Sequence, residues 1–226
     1  MSRLPSFLHK DDHVERAALI ALSVDQGFAL YNAHGMILRG GALIAQAQEK
    51  AGIVHMQQGL DALHATGAAL RRPYYLAVLA EGYAQAQQVK EGLTLLTTAL
   101  ETIHTSAERL HEAELYRLRG QLTLQQCQGT GATSPGACQQ FLTCSTQAEA
   151  EAEACFLKAC AIARRQQAKS WELRAAISLS RLWQRQGKRH EARDLLASIY
   201  TWFTEGFDTV DLQEAQGLLT TLEKGE

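Results

Sequence analysis

Proline is almost absent, with three residues in 226, at Pro5, Pro73 and Pro135, so little in the chain interrupts a helix. Aromatic residues are few, at 7%, and charge of one sign does not dominate: 22 basic against 24 acidic residues give a formal charge of −2. A non-specific nucleic-acid binder carries a basic excess, and this balance speaks against one. No run reaches the roughly 20 apolar residues of a membrane span, and Met1–Lys10 has no secretory apolar core. The expected setting is therefore the cytoplasm, without membrane contact. What remains is 46% hydrophobic and 20% charged, a globular composition rich in Ala, Leu, Gln and Glu, all residues that favour helix.

Periodicity agrees. Val14, Ala17, Ala18, Ala21 and Leu22 recur at spacings of three and four, one apolar stripe that Asp11 or Asp12 would cap and Gly27 would end. The same pattern predicts helices over about 31–47, 49–65, 73–87, 89–104, 109–126, 147–167, 169–186, 188–204 and 208–223. No stretch alternates in the manner of a strand. Pro73 suits a first helical turn. Thr146 with Glu149 reads as a capping box, and in Trp202–Asp208 a left-handed Gly206 ends a helix, Phe207 folds back and Asp208 caps the next. Between Gln128 and Ser145 the turn formers Gly129, Gly131, Ser134, Pro135 and Gly136 predict an exposed, flexible insertion.

An internal repeat organises these helices. Leu60-Asp61-Ala62-Leu63-His64 aligns with Leu100-Glu101-Thr102-Ile103-His104 at an offset of about 40 residues, and Gly40, Ala80 and Gly120 share that offset, as do Gly52 and Gly92. Past the insertion the phase slips and resumes, with Ala152, Phe156 and Ala159 followed by Ala192, Leu196 and Ile199. Small residues let helices approach closely, and Tyr83, Phe156 and Trp183 fill the space between units. The expected fold is all-α, a right-handed superhelical solenoid of antiparallel helix pairs with about ten helices. It forms one domain: a remnant or capping helix at 1–27, repeats at 28–126, the insertion at 127–146, repeats at 147–207 and a C-terminal capping helix at 208–226. The last carries Leu212, Ala215, Leu218, Leu219 and Leu222 on one stripe.

The spacing small–large–small in Ala152, Phe156 and Ala159 is that of a lengthened tetratricopeptide repeat. Four stretches carry a closer likeness: Ala113–Gly120, Glu149–Arg165, Gln166–Gly187 and Trp202–Ala215. They resemble the C-terminal tetratricopeptide-like region of large bacterial signalling ATPases, which often carry a cyclase, kinase or transcription-regulator domain. The resemblance implies a non-catalytic sensor or protein-interaction arm. No ATPase or cyclase portion is present, so the chain is expected to be a fragment, a truncated product or a stand-alone relative.

Chemistry-bearing motifs are scarce. There is no phosphate loop, and Gly35, Gly40 and Gly41 stand in a helical pattern. The cysteines Cys127, Cys138, Cys144, Cys155 and Cys160 form no C-x-x-C pair, and free thiols are expected. His9, Asp11, Asp12 and His13 look more like a solvated terminus than a metal site. His64 and His104 occupy equivalent repeat positions, which predicts a shared packing role. No active site, metal or cofactor is expected.

Binding is the remaining role. The first helix of each pair lines the concave face of such a repeat, placing His34, Tyr74, Glu81, Glu114, Arg117, Gln121, Arg174, Arg181, Gln184 and Arg185 there. Arg174, Arg181 and Arg185 share one helix face, a guanidinium row suited to carboxylates or phosphates unless it pairs with Glu172 or Glu191. Trp183, Tyr200, Trp202, Phe203 and Phe207 are expected to close the core beneath the last helix. The expected function is a protein–protein interaction scaffold that binds a peptide or protein surface, with a small-molecule sensor controlling an attached ATPase, cyclase or transcription regulator as the alternative. A bare apolar face on the N-terminal helix adds an expectation of self-association.

Overall fold

The computed structural model describes residues 20–106, 108–128 and 137–224, side chains at 137–144 excepted. Residues 20–25 are helical. Nine further helices follow among the described residues: α1 (Ala29–Ala45), α2 (Glu49–Ala65), α3 (Arg72–Gln85), α4 (Val89–Ser106), α5 (Glu112–Gln128), α6 (Ala137–Arg165), α7 (Lys169–Arg185), α8 (Arg189–Tyr200) and α9 (Val210–Lys224). No strand occurs among them, so the all-α expectation holds. No described helix is long and apolar enough to cross a membrane. The chain divides into two compact units, Met1–Arg109 and Leu110–Glu226.

One turn recurs in both units. The N–H of Gln48 donates to Leu43 O at 2.9 Å and that of Ala47 to Ile44 O at 3.1 Å, closing α1 with a left-handed residue at Ala47 (φ 59°). Gln87 (φ 62°), Gln167 (φ 56°), Gly187 (φ 80°) and Gly27 (φ 67°) sit in the same paired hydrogen bonds. Each turn reverses the chain within a few residues, so consecutive helices pack antiparallel.

In the first unit α1 and α2 touch backbone to backbone. A methyl group built on Gly40 would stand 2.6 Å from the Gly52 carbonyl oxygen, and one on Gly52 would stand 2.6 Å from that of Gly40. Further along, Gly59 faces Ile37 and Ala33, and this reversed order makes the pair antiparallel. Ile37, Ile44, Met56 and Leu63 fill the seam with almost no exposure, each worth about 1.5–3 kcal/mol of hydrophobic burial. Gly82 of α3 meets Ile44 and Ile53, so the next pair stacks on the first. Gly40 and Gly52 thus give the close approach that their small size predicts.

In the second unit Gly120 of α5 lies against the ring of Phe156 on α6. Phe156 joins Ala152, Leu179 and Leu182 in a buried cluster edged by Leu124, Trp183 and Leu195. Trp183 donates its indole N–H to Glu153 at 2.8 Å, and Ser180 donates to Ala192 O at 3.0 Å, tying α7 to α6 and α8. The final helix buries Leu212, Ala215 and Leu222, with Leu218 and Leu219 half-buried.

Several local expectations are corrected. The insertion placed at 127–146 is helical from Ala137, because 137–150 holds neither Gly nor Pro to stop a helix. Thr146 therefore lies inside α6 rather than at its start, while residues 129–136 lie outside the described part. The eighth helix stops at Tyr200 rather than near 204, so Gly206 (φ 75°) serves the connection and not a helix end. There Thr209 donates both its N–H (2.9 Å) and its Oγ1–H (2.7 Å) to Gly206 O, and α9 starts at Val210, so Thr209 and not Asp208 stands directly before it. Phe207 does turn back onto Tyr200, with ring centroids 5.9 Å apart. Yet Trp202 and Phe207 stay largely exposed, so they do not close a core. His64 and His104 are exposed in the last turns of α2 and α4, where their N–H groups suit the negative helix end. Leu63 and Ile103, one residue earlier, carry the packing instead.

The α1–α2 contact predicts opposite outcomes for one substitution at two glycines. Gly40→Ala should lower stability by about 1–3 kcal/mol despite alanine's better helix propensity, because backbone atoms cannot yield. Gly217→Ala, which meets open space on α9, should raise it by about 0.5–1 kcal/mol. Chemical denaturation of both variants checks the pair.

Candidate functional site

Residues 112–118 of α5 are all buried, including Glu112, Glu114 and Arg117. A helix covered on all sides normally carries no charge, so these groups need partners. Arg117 grips Glu114 with two parallel bonds, Nε to Oε2 at 2.7 Å and Nη2 to Oε1 at 2.6 Å. Arg174 of α7 reaches the same Glu114 Oε1 at 3.1 Å, and its Nε lies 3.9 Å from Asp211 Oδ2 on α9. Its guanidinium also stacks 5.2 Å over the Trp171 ring, which meets the His111 ring in a T-shaped arrangement with centroids 6.0 Å apart. About two turns along α7, Arg181 binds Glu214 Oε1 of α9 at 2.6 Å with the arginine half-exposed.

The electrostatics differ across this web. Burial pushes the Glu114 carboxyl up, but Arg117 and Arg174 outweigh it and hold its pKa below the ordinary carboxylate value. For Asp211 the balance reverses: burial dominates, Glu114 and Glu214 repel it, Arg174 compensates in part, and its pKa rises. Glu114 is thus a satisfied structural anion, whereas Asp211 is poorly accommodated as a carboxylate.

The ten residues predicted for a concave face meet different fates. Glu114, Arg117 and Arg174 come together, with Arg181 beside them on α7. Gln121 and Gln184 are half-buried, and Arg185 is exposed without an ion pair among the described residues. Glu114 and Arg117, however, are buried at 7% and 5% exposure, and offer no open surface. In the first unit Tyr74 and Glu81 are buried too, at 7% and 3%, because residues 73–82 of α3 are covered throughout. His34 is half-buried there, its Nδ1 3.0 Å from Leu30 O and its ring 5.9 Å from that of Tyr75. The face assumed open on first helices is in these places an interior.

The expected arginine partners are also corrected. Glu172 pairs with Arg164 at 2.9 Å and Lys169 at 2.8 Å, not with the arginine row. The carboxylates that serve the row, Asp211 and Glu214, went unnoticed in the sequence, since no pattern links α9 to α7. Their spacing of three on an amphipathic helix is the one signal available.

Other candidates remain separate. A cavity of about 30 Å³ beside Arg185, lined by Leu124, Cys127, Gln128, Ser145, Ala148 and Glu149, has room for a water and not for a metabolite. Cys127 and Cys160 are buried and Cys155 is half-buried, none in a disulfide, with burial pushing the Cys160 thiol up to about 12. The pairs Cys138 and Cys144, and His9 and His13, fall outside the described side chains. No cluster of three metal-ligating side chains occurs among the described residues. Chemically, the arrangement on α7 is a ledge of guanidinium groups that holds carboxylates.

The chain matches no protein-family model and no curated protein sequence at a significant level.

Glu114 gives a pH-dependent test. Its pKa is depressed in the fold, so its stabilisation is complete above the ordinary carboxylate pKa and disappears as pH falls through the folded value. Glu114→Gln should cost about 3–5 kcal/mol at neutral pH, by leaving Arg117 without its buried counter-ion. It should also flatten the acid limb of a thermal-unfolding series measured from about pH 7 to about pH 3, which spans the ordinary carboxylate pKa of about 4.

Proposed function

We propose that this chain is a non-catalytic protein-interaction scaffold that binds an acidic peptide segment along the arginine face of α7. The observation that carries the reading is that this face already holds carboxylates: Arg174 takes those of Glu114 and Asp211, and Arg181 takes that of Glu214. Arg181 and Arg185 remain exposed one helical turn apart, which gives an incoming carboxylate two guanidinium forks on one ledge. An open ledge suits a peptide better than a metabolite, and the small cavity beside it favours the same choice. Stacked antiparallel pairs within each unit support a tetratricopeptide-like solenoid, and with it the role of a cytoplasmic regulatory arm in a bacterial signalling protein.

The test is fluorescence anisotropy with a labelled hexaglutamate peptide. Binding should weaken as salt rises and fall at least about tenfold in Arg181→Glu/Arg185→Glu, while a hexalysine peptide should not bind. Unchanged affinity in the double variant would sink this reading.

Self-association is a second contact favoured by a separate feature. Leu22, Val24, Phe28 and Tyr31 are all more than half exposed around the start of α1, with the Phe28 and Tyr31 rings 6.1 Å apart. An apolar cluster of this kind is worth covering. Sedimentation velocity should show mass rising with concentration, and Phe28→Ser/Tyr31→Ser should restore a monomer.

A further inference from the structure

The helix α9 touches the arginine face in a way that its apolar packing does not require. Leu212, Ala215 and Leu222 anchor it, and yet it also directs Asp211 and Glu214 at Arg174 and Arg181. The match is uneven. Glu214 closes to 2.6 Å on Arg181, while Asp211 stays at 3.9 Å from Arg174, which is already engaged by Glu114. Carboxylates three residues apart rise about 4.5 Å along a helix, whereas guanidinium groups seven apart are based about 10.5 Å apart, so one helix cannot serve both equally. Burial and the neighbouring Glu114 and Glu214 further disfavour the Asp211 carboxylate.

The helix is also held lightly. Gly217 stands in its middle facing open space, a residue that weakens any helix. Thr220 and Thr221 turn their hydroxyls back to the carbonyls of Gln216 and Gly217 at 2.9 Å each. Three of its side chains are buried, a thin anchorage for a helix of fifteen residues.

We propose that α9 is a built-in occupant of the arginine face, a pseudo-ligand whose Glu214 and Asp211 mask Arg181 and Arg174 until an acidic amphipathic segment displaces them. The partner is then a segment with the chemistry of Asp211-Leu212-Gln213-Glu214: two carboxylates three residues apart, with an apolar residue between. Tethering gives α9 a high effective concentration, so a weak intramolecular pair suffices to exclude weak or wrongly spaced competitors. This inference rests on the carboxylate-binding role proposed above.

The test compares the 226-residue chain with Asp211→Asn/Glu214→Gln, near-isosteric changes that keep Leu212, Ala215 and Leu222 in place. The probes are labelled hexaglutamate and a labelled peptide of residues 208–224. Removing the intramolecular carboxylates should tighten binding of both peptides by about three- to fivefold, a range set by a partly exposed ion pair. Glu214→Gln alone should give most of that gain, which keeps the test valid if the double variant folds poorly. Equal affinity in the parent and both variants, with binding still lost in Arg181→Glu/Arg185→Glu, overturns the masking role and leaves the binding role standing. No binding by any of these chains overturns both.

Discussion

Close approach of helix backbones is the constraint on which the rest of this molecule depends. Where Gly40 meets Gly52, no side chain separates α1 from α2, and the surrounding Ile37, Ile44, Met56 and Leu63 interlock only because the axes are that near. Gly120 plays the corresponding part in the second unit by admitting the Phe156 ring. Dense pairing leaves little room beside the first helices, and α3 and α5 are buried on nearly every side.

That burial has an electrostatic consequence. Once α5 is enclosed, Glu114 and Arg117 must neutralise each other, and Arg174 is drawn into the same web. The charges of the second unit therefore sort by depth. Those on α5 are enclosed with the fold, while Arg181 and Arg185 on the outer turns of α7 stay exposed. Arg174 stands at the transition, holding a buried carboxylate on one side and a longer contact to Asp211 on the other.

Much of the local structure was legible in the residues. The helix predicted over 49–65 coincides with α2, and those over 89–104 and 169–186 agree with α4 and α7 to within two residues at their ends. The turns were less visible. In three of the five repeated turns the left-handed residue is Ala47, Gln87 or Gln167, so the glycine that normally announces such a turn is missing. The reversal there is imposed by packing of the flanking helices. The early start of α6 went unseen for the opposite reason: turn formers at 129–136 masked a helix-compatible stretch directly after them. His64 and His104 show the limit of repeat logic, since equivalent positions shared exposure and not burial.

The candidate site divides in the same manner. Periodicity placed Arg174, Arg181 and Arg185 on one face of one helix, because spacing along a helix is set by local geometry alone. Which groups face that row depends on how separate helices dock, and the chain carries no local mark of it. Asp211 and Glu214 reach α7 across a turn built by Gly206 and Thr209, and Glu114 reaches it from a helix more than fifty positions earlier. Helices, their apolar stripes and the small residues of close contact follow from local propensity and period. Whether Tyr74, Glu81 and Glu114 face solvent or interior, and which carboxylate an arginine finds, follows from burial, which only the packed fold decides.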